Sequence, residues 1–448
     1  MIENDSVYLG DEGVTRDGTV VPQDKTYQRI SGDGQISTHK AANVGSKAVV
    51  GAKRLKSAAG APGTKIVLND WSFASATEHL SGDSARFATI PGPASLLSLG
   101  APYGYGWYRL KFKSGSVKKH HVIVPGGGDR LHMVLDGQHQ GVMGHGPGAT
   151  EETVMQLKKG AHTLVVLAEN FGRAAGGVAL ATQPGLTGHA WSVLPAKTEK
   201  PKIVSGDPVD IMAFRAPLWH VHRGDTTDSR RLTWALGHRR KTPLFMRIAP
   251  IAASSLVLLN DEVIAYVERG TGAMVSIDPE KISRGNNTVQ VAVHGSTEEH
   301  AAELQAGVHF HEGDENLTAK AEWAFARWEP PAPDVYIRNG KKEHARGGEA
   351  VWWRCTFLAD ESDSPLMFEA TGLTKGQLYV NNKHVGRYFV ATDAGKHVPP
   401  QVRYHIPRAW IDEDGPNELV IFDEHGGNPT KCKLVADAGA SAFGAGRE

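Results

Sequence analysis

Cysteine is nearly absent from this chain of 448 residues, with Cys355 and Cys432 as the whole supply. Two thiols cannot staple so long a chain, so a disulfide framework is excluded as its source of stability; the pair could bridge only if neighbouring strands carry it. Net charge is missing as well. Lys plus Arg and Asp plus Glu stand at 49 each, which removes the positive field that gathers nucleic acid or an anionic membrane surface. No run approaches the ~18 consecutive apolar residues of a membrane span. The start, MIENDSVYLGDEGVTRDG, is acidic where a secretory signal is basic and then apolar. Phosphate loops, dinucleotide fingerprints, zinc-hydrolase runs and nucleophile elbows are not found, so no cofactor is expected.

Long helical periodicity is also scarce, EEHAAELQAG at 298–307 being the one short helix expected. What the chain has is glycine (51 residues), proline (24) and 40% apolar residues, the mixture of many strands joined by tight turns. GYGWYRLKF alternates ring-bearing and polar positions. RLHMVLDGQHQG sets Leu131, Met133 and Leu135 on one strand face before an Asp136-Gly137 turn. SLVLLNDEVIAYV repeats that form around Asn260-Asp261, and GLTKGQLYVNNKHVGRY repeats it around Asn381-Asn382. In the last of these, Leu378 and Val380 should enter one layer and Tyr379 the other.

The economical fold class is therefore all-β, with tandem jelly-roll, galactose-binding-like sandwiches and an extended N-terminal arm. The expected division is an arm or assembly segment over 1–62, a first sandwich over 63–202, a second over 203–330, and a third with a short tail over 331–448. Proline-rich ARWEPPAPDVY marks the last boundary. The arm, rich in Ala, Gly and Lys with little periodicity, suits tethering or docking.

The stretches WWRCTF, GLTKGQLYVNNKHVGRY, PPQVRYHIPRAWI and NELVIFDEHGGNPT, in that order, resemble the noncatalytic β-sandwich portions of family 35 beta-galactosidases. GYGWYRLKF, LHMVLDGQHQG and LVVLAENFGRAAGG resemble another of their jelly rolls, so the resemblance covers mainly 65–190 and 345–440. It implies binding-like domains packed around a carbohydrate-cleaving barrel. A barrel needs roughly 250 residues, and the resembling region begins near 65, so the barrel and its paired carboxylates are expected to be missing and the chain is not expected to be an enzyme.

For sugar recognition, an aromatic face must be exposed beside groups that pair with hydroxyls. The candidate carbohydrate-binding residues are Tyr103 and Tyr105, flanked by glycine, together with Arg387 and Tyr388; the last two read first as a structural anchor at the turn and second as ligand contacts. Trp107, Asn170, Arg173, Asn381 and Asn382 read as structural. Asp423, Glu424 and His425 in DEHGGNP read as a closing turn, with no complete oxygen cage for a cation. His220/His222 and His309/His311 are same-face pairs that would make a metal site only if they met, whereas adjacent His120 and His121 face apart. No metal is assigned. The function expected is a noncatalytic structural protein with carbohydrate recognition, such as a bacteriophage virion or tail component. Its partners would be copies of itself or other structural proteins and a surface glycan, without nucleic acid or membrane insertion. A freestanding carbohydrate-binding protein, cytoplasmic or exported without a signal peptide, is the alternative, and a hydrolase with a newly formed site is a third reading.

Overall fold

The structure, a computed structural model, describes residues 2–3, 6–9, 11–14, 20–22, 26–30, 36–40, 65–66, 68–172, 183–206, 229–238, 240–293, 298–340, 345, 347–359 and 365–436. Strands dominate, and the sheets are antiparallel throughout their paired strands. The fold is an array of β-sandwiches, the class read from the turn-rich composition, and the expected helix forms at Glu298–Gly307.

Three hairpins repeat one piece of chemistry, one in each sandwich. Leu135 pairs with Gln138 across Asp136-Gly137, Leu259 with Glu262 across Asn260-Asp261, and Val380 with Lys383 across Asn381-Asn382. All six turn residues have positive φ, between 48° and 76°. Asp, Asn and Gly occupy the positions because they tolerate the left-handed region that a two-residue hairpin demands. The first turn residue then reaches across to the neighbouring strand. The Thr163 amide donates to Asp136 Oδ1 (2.8 Å), the Thr288 amide to Asn260 Oδ1 (2.9 Å) and the Glu418 amide to Asn381 Oδ1 (2.8 Å). The residue before each amide completes the lock: His162 with Asp136 at 2.7 Å, Asn287 with Asn260 at 3.1 Å and Asn417 with Asn381 at 2.7 Å. Each hairpin also shifts register at the same place, two steps before the turn pair.

Alternation then divides the side chains. Leu131, Met133 and Leu135 enter the first core. Leu232, Trp234, Val289 and Val291 help build the second, and Leu378 and Val380 the third. Tyr379 points the other way, into a separate apolar layer between the first and third sandwiches. There Tyr105 and Trp107 from strand Gly104–Ser114 meet Trp328, Trp352 and Phe422. Trp107 stands edge-on to Trp328 with centroids 5.4 Å apart, and Trp352 lies 5.0 Å from Phe422. Edge and tilted contacts suit the ring quadrupoles. Cys355 and Cys432 are both buried in the third core as free thiols.

The sheets cross the domain lines drawn on the sequence. Strand Glu322–Trp328, counted with the second sandwich, pairs with Gly104–Ser114 of the first. Val308–Asn316 pairs with Trp191–Pro195, so the first and second sandwiches share one six-stranded sheet. Ser72–Ser75, counted with the first, pairs with Val351–Phe357 of the third, and Lys65–Ile66 pairs with Lys433–Ala436. Strand pattern reports which residues extend but not which open edge they close, and here edges are closed from far along the chain. The N-terminal segment also differs from a plain arm. Ile2–Glu3, Ser6–Leu9, Thr26–Ile30 and Ile36–Lys40 form a four-stranded sheet, and Asp11–Val14 pairs with Val20–Pro22. Its β-branched and aromatic residues, Val7, Tyr27 and Ile36 among them, are enough for short strands between Gly- and Asp-containing turns.

Candidate functional site

The seam between the first and third sandwiches opens at two ends. One opening, a cleft of about 480 Å³, is walled by Tyr103, Arg327 and Glu329 on one side and by Tyr379 and Asn382 on the other. Tyr103 is 60% exposed, and its ring stacks on His384 at 5.3 Å and 20°. Burial, with Arg387 adding to it, lowers the His384 pKa, so a neutral imidazole backs the tyrosine. Arg327 and Glu329 form an exposed ion pair on the rim. One aromatic face is thus presented beside a guanidinium, a carboxylate and a turn amide.

The other candidate sugar-contacting residues lie elsewhere. Tyr105 is 1% exposed and Tyr388 2%, so neither ring can stack on a glycan, and both assignments are corrected. Alternation aims Tyr105 outward from its own sandwich, but that outer face is covered by the third. Its hydroxyl donates to Glu424 at 2.7 Å. Tyr388 donates to the Phe422 carbonyl at 2.7 Å and lies 2.9 Å from Asp423. Burial first, then the neighbouring carboxylates, raises both phenol pKa values, which keeps them neutral donors. Arg387 is half-exposed, its guanidinium 5.3 Å from the Phe171 ring centroid and 3.8 Å from Glu169.

Trp107 is fully buried, and Asn170 donates to the Ala101 carbonyl while accepting from Gly172. Asn381 and Asn382 form the hairpin turn described above. Arg173, His220 and His222 lie outside the described residues, and so does any meeting of the two His-X-His pairs. His309 and His311 line a pocket of about 390 Å³ with Glu152, 3.7 Å from His311. His120 is buried against Ser192 at 2.9 Å.

Between the two ends lies a cluster of buried charge that no motif announced. Lys375 donates to Glu169 and, at 2.9 Å, to Glu424, and sits 3.4 Å from the Tyr105 hydroxyl. Arg130 Nε lies 3.5 Å from Glu424 Oε2, and His132 Nε2 lies 2.8 Å from the same oxygen. The two carboxylate side chains are fully buried. Burial opposes charge on Glu424, but Lys375 and His132 override it and hold its carboxyl well below the usual range. Burial also pushes Glu169 up, to about 7, because Lys375 only partly offsets it and Glu424 repels it. Burial lowers His132 to about 4, with Glu424 pulling the other way. A sequence signal for the cluster did exist. Arg130 in RLHMVL, Glu169 in VVLAEN and Lys375 in TKGQLYV are charges inside otherwise buried strands, and such charges require buried partners.

Asp423 organises the closing turn from the opposite side. It accepts from the Thr374 amide (2.7 Å) and hydroxyl (2.6 Å) and from the amides of His425 (3.1 Å) and Gly427 (2.8 Å). The turn delivers Glu424 and His425 to the second opening, a cleft of about 330 Å³ also lined by Trp107, His132, Gln138 and His139.

Comparison with known proteins gives two matches to described domains. Residues 350–417 match the beta-galactosidase galactose-binding domain, and residues 93–193 match the beta-galactosidase first all-beta domain. Similar proteins include beta-galactosidase 12 of Oryza sativa subsp. japonica, 31% identical over 33% of this chain and 14% of its own length. Beta-galactosidase 8 of Arabidopsis thaliana is 32% identical over 19% of this chain and 12% of its own length. The chain therefore spans only a small part of these relatives. Among solved structures, a beta-galacturonidase from Eisenbergiella tayi aligns over 66% of this chain and 40% of its own, at 12% identity and a TM-score of 0.21. The matched regions fall on the first and third sandwiches, and the second lies outside both. Residues 93–193 and 350–417 are thus similar to the noncatalytic β-sandwich domains of beta-galactosidases.

Proposed function

We propose that the protein is a noncatalytic scaffold that binds a galactose-type glycan in the cleft between Tyr103 and Asn382. The observation that carries this reading is the exposed Tyr103 ring, braced by His384 at the mouth of a cleft of about 480 Å³. A pyranose has one apolar face, which an aromatic ring covers, and a rim of hydroxyls, which Arg327, Glu329 and Asn382 are placed to pair with. The description of the matched third-sandwich region as galactose-binding supports the ligand class.

The test is a glycan array with the full chain, followed by calorimetry on the best galactose-terminated ligand and mass spectrometry for products. Binding without cleavage is expected. Tyr103→Ala should weaken it about 3- to 10-fold, the value of one aromatic contact. Retention of no glycan, or time-dependent appearance of a cleaved product, would sink the proposal. The bacteriophage-particle setting has a separate check, namely stable stoichiometric incorporation into purified particles.

A further inference from the structure

Three atoms converge on the wall of the second cleft without making a hydrogen bond: His132 Nε2, Glu424 Oε2 and His425 Nε2. His132 comes from strand Arg130–Leu135 of the first sandwich, and Glu424 and His425 follow strand Asn417–Asp423 of the third. All three residues are buried, at 4%, 3% and 9% exposure. The atoms lie within 4.8 Å of one another, with Glu424 Oε2 at 2.8 Å from His132 and 3.6 Å from His425. Ligands about 2.0–2.2 Å from a tetrahedral ion stand about 3.3 Å apart, so the observed separations bracket that edge. His132 approaches the carboxylate to 2.8 Å, a contact that an ion between the two atoms would replace.

We propose that His132, Glu424 and His425 form a site for a divalent transition metal of the zinc class, with its remaining coordination position open to the cleft. Two imidazoles and one carboxylate are a donor set that suits zinc, whereas calcium requires six to eight oxygens. His139, on the paired strand, lines the same cleft, its ring centroid 6.4 Å from that of His132. The opposing influence is Arg130, whose Nε shares Glu424 Oε2. Because the ligands come from two sandwiches, the bound ion would clamp the seam.

The full chain, stripped with EDTA, is titrated with zinc chloride and cobalt chloride. Metal content is read by mass spectrometry after gel filtration, coordination by the visible cobalt spectrum, and the clamp by thermal melting. One ion per chain, low-symmetry cobalt bands and a melting midpoint that rises with zinc are expected. His425→Gln, at the edge of the cleft, should bind at least about tenfold more weakly, and Glu424→Gln should do the same if it folds. His309→Ala/His311→Ala should leave all three readouts unchanged. The proposal fails if no ion is retained, if His425→Gln retains it as well as the parent, or if binding disappears with the His309/His311 pair.

Discussion

Replacing Lys375 by Met removes one charge from the seam while keeping a side chain of similar length. The Nζ atom has two carboxylate partners, Glu169 and Glu424, and lies between 5.3 and 5.7 Å from the ring centroids of Phe389, Phe171 and Tyr105. A thioether can occupy that aromatic box. The carboxylates fare differently. Glu424 keeps the charged Arg130, but Glu169 is left with only the half-exposed Arg387 at 3.8 Å. Removing one partner of a buried pair costs about 3–5 kcal/mol. Glu169 can escape part of that by taking a proton, which is easy at pH 5 because its pKa already stands at about 7. The loss should therefore approach the full value at pH 8 and shrink at pH 5 toward the ~1 kcal/mol of an ordinary hydrogen bond. Urea unfolding followed by tryptophan fluorescence measures both, since Trp107 and Trp352 sit in the adjacent layer. The double variant Lys375→Met/Glu169→Gln should recover most of the loss at pH 8. A cost under about 1 kcal/mol at pH 8, or one independent of pH, would refute the reasoning.

Three further predictions rest on separate features. Glu169 has its pKa raised by burial, so the folded state holds that proton more tightly than the unfolded chain. Its contribution to stability is present below the usual glutamate range and fades as pH rises through about 7. Glu169→Gln should flatten the decline between pH 5 and 8 and leave untouched the acid loss set by Glu424, whose pKa is lowered; equal slopes in the two proteins would count against it. Gly376 has no room for a methyl group, because a Cβ there would meet the Phe422 carbonyl at 1.8 Å. Gly376→Ala should cost about 3 kcal/mol or more, read as a shift of the urea midpoint. The turn locks predict an order, since glycine keeps the positive φ and loses only the side-chain bonds, whereas alanine loses both. Asn381→Gly should cost about 1–2 kcal/mol and Asn381→Ala about 1 kcal/mol more, with the same order at Asn260 in thermal melts.

Local chemistry was legible in the sequence where neighbours decide it. Asp136-Gly137, Asn260-Asp261 and Asn381-Asn382 carry their turn geometry in their own residue types, and Leu378, Tyr379 and Val380 divide between layers by simple alternation. Partnership between distant strands was not legible. Nothing in AEWAFARWEP says that Trp323 and Trp328 lie in a strand beside Tyr105 rather than in the second sandwich. The same blindness misplaced Tyr105: an alternating aromatic next to glycine looks exposed until a second sheet covers it, and here the covering sheet is more than two hundred residues away in sequence. Tyr388 instead enters the core of its own sandwich, where its hydroxyl bonds Phe422 and Asp423 as a structural anchor. Arg130, Glu169 and Lys375 could have been flagged as charges stranded among apolar neighbours, although pairing them required the fold.

The buried charges also explain how a cleft with walls from two domains keeps one shape. Apolar sheet faces stacked through Trp107, Trp328, Trp352 and Phe422 gain nearly the same burial if one slides past the other, because hydrophobic attraction has little direction. Ion pairs do not slide. Lys375 reaches both Glu169 and Glu424 in a single register, and a displacement of a few ångströms would strand three buried charges at several kcal/mol each. The aromatic layer thus supplies adhesion and the charge hub supplies position. Tyr103 stands on the chain leading into strand Gly104–Ser114, and His384 and Asn382 belong to the hairpin that follows strand Lys375–Val380. Their separation is therefore set by the register of the hub. On this reasoning Lys375→Met, although its side chain is remote from the cleft mouth, should weaken the proposed glycan binding at pH 8 and restore it at pH 5. A variant that alters stability but leaves affinity equal at both pH values would show that the cleft does not depend on the hub.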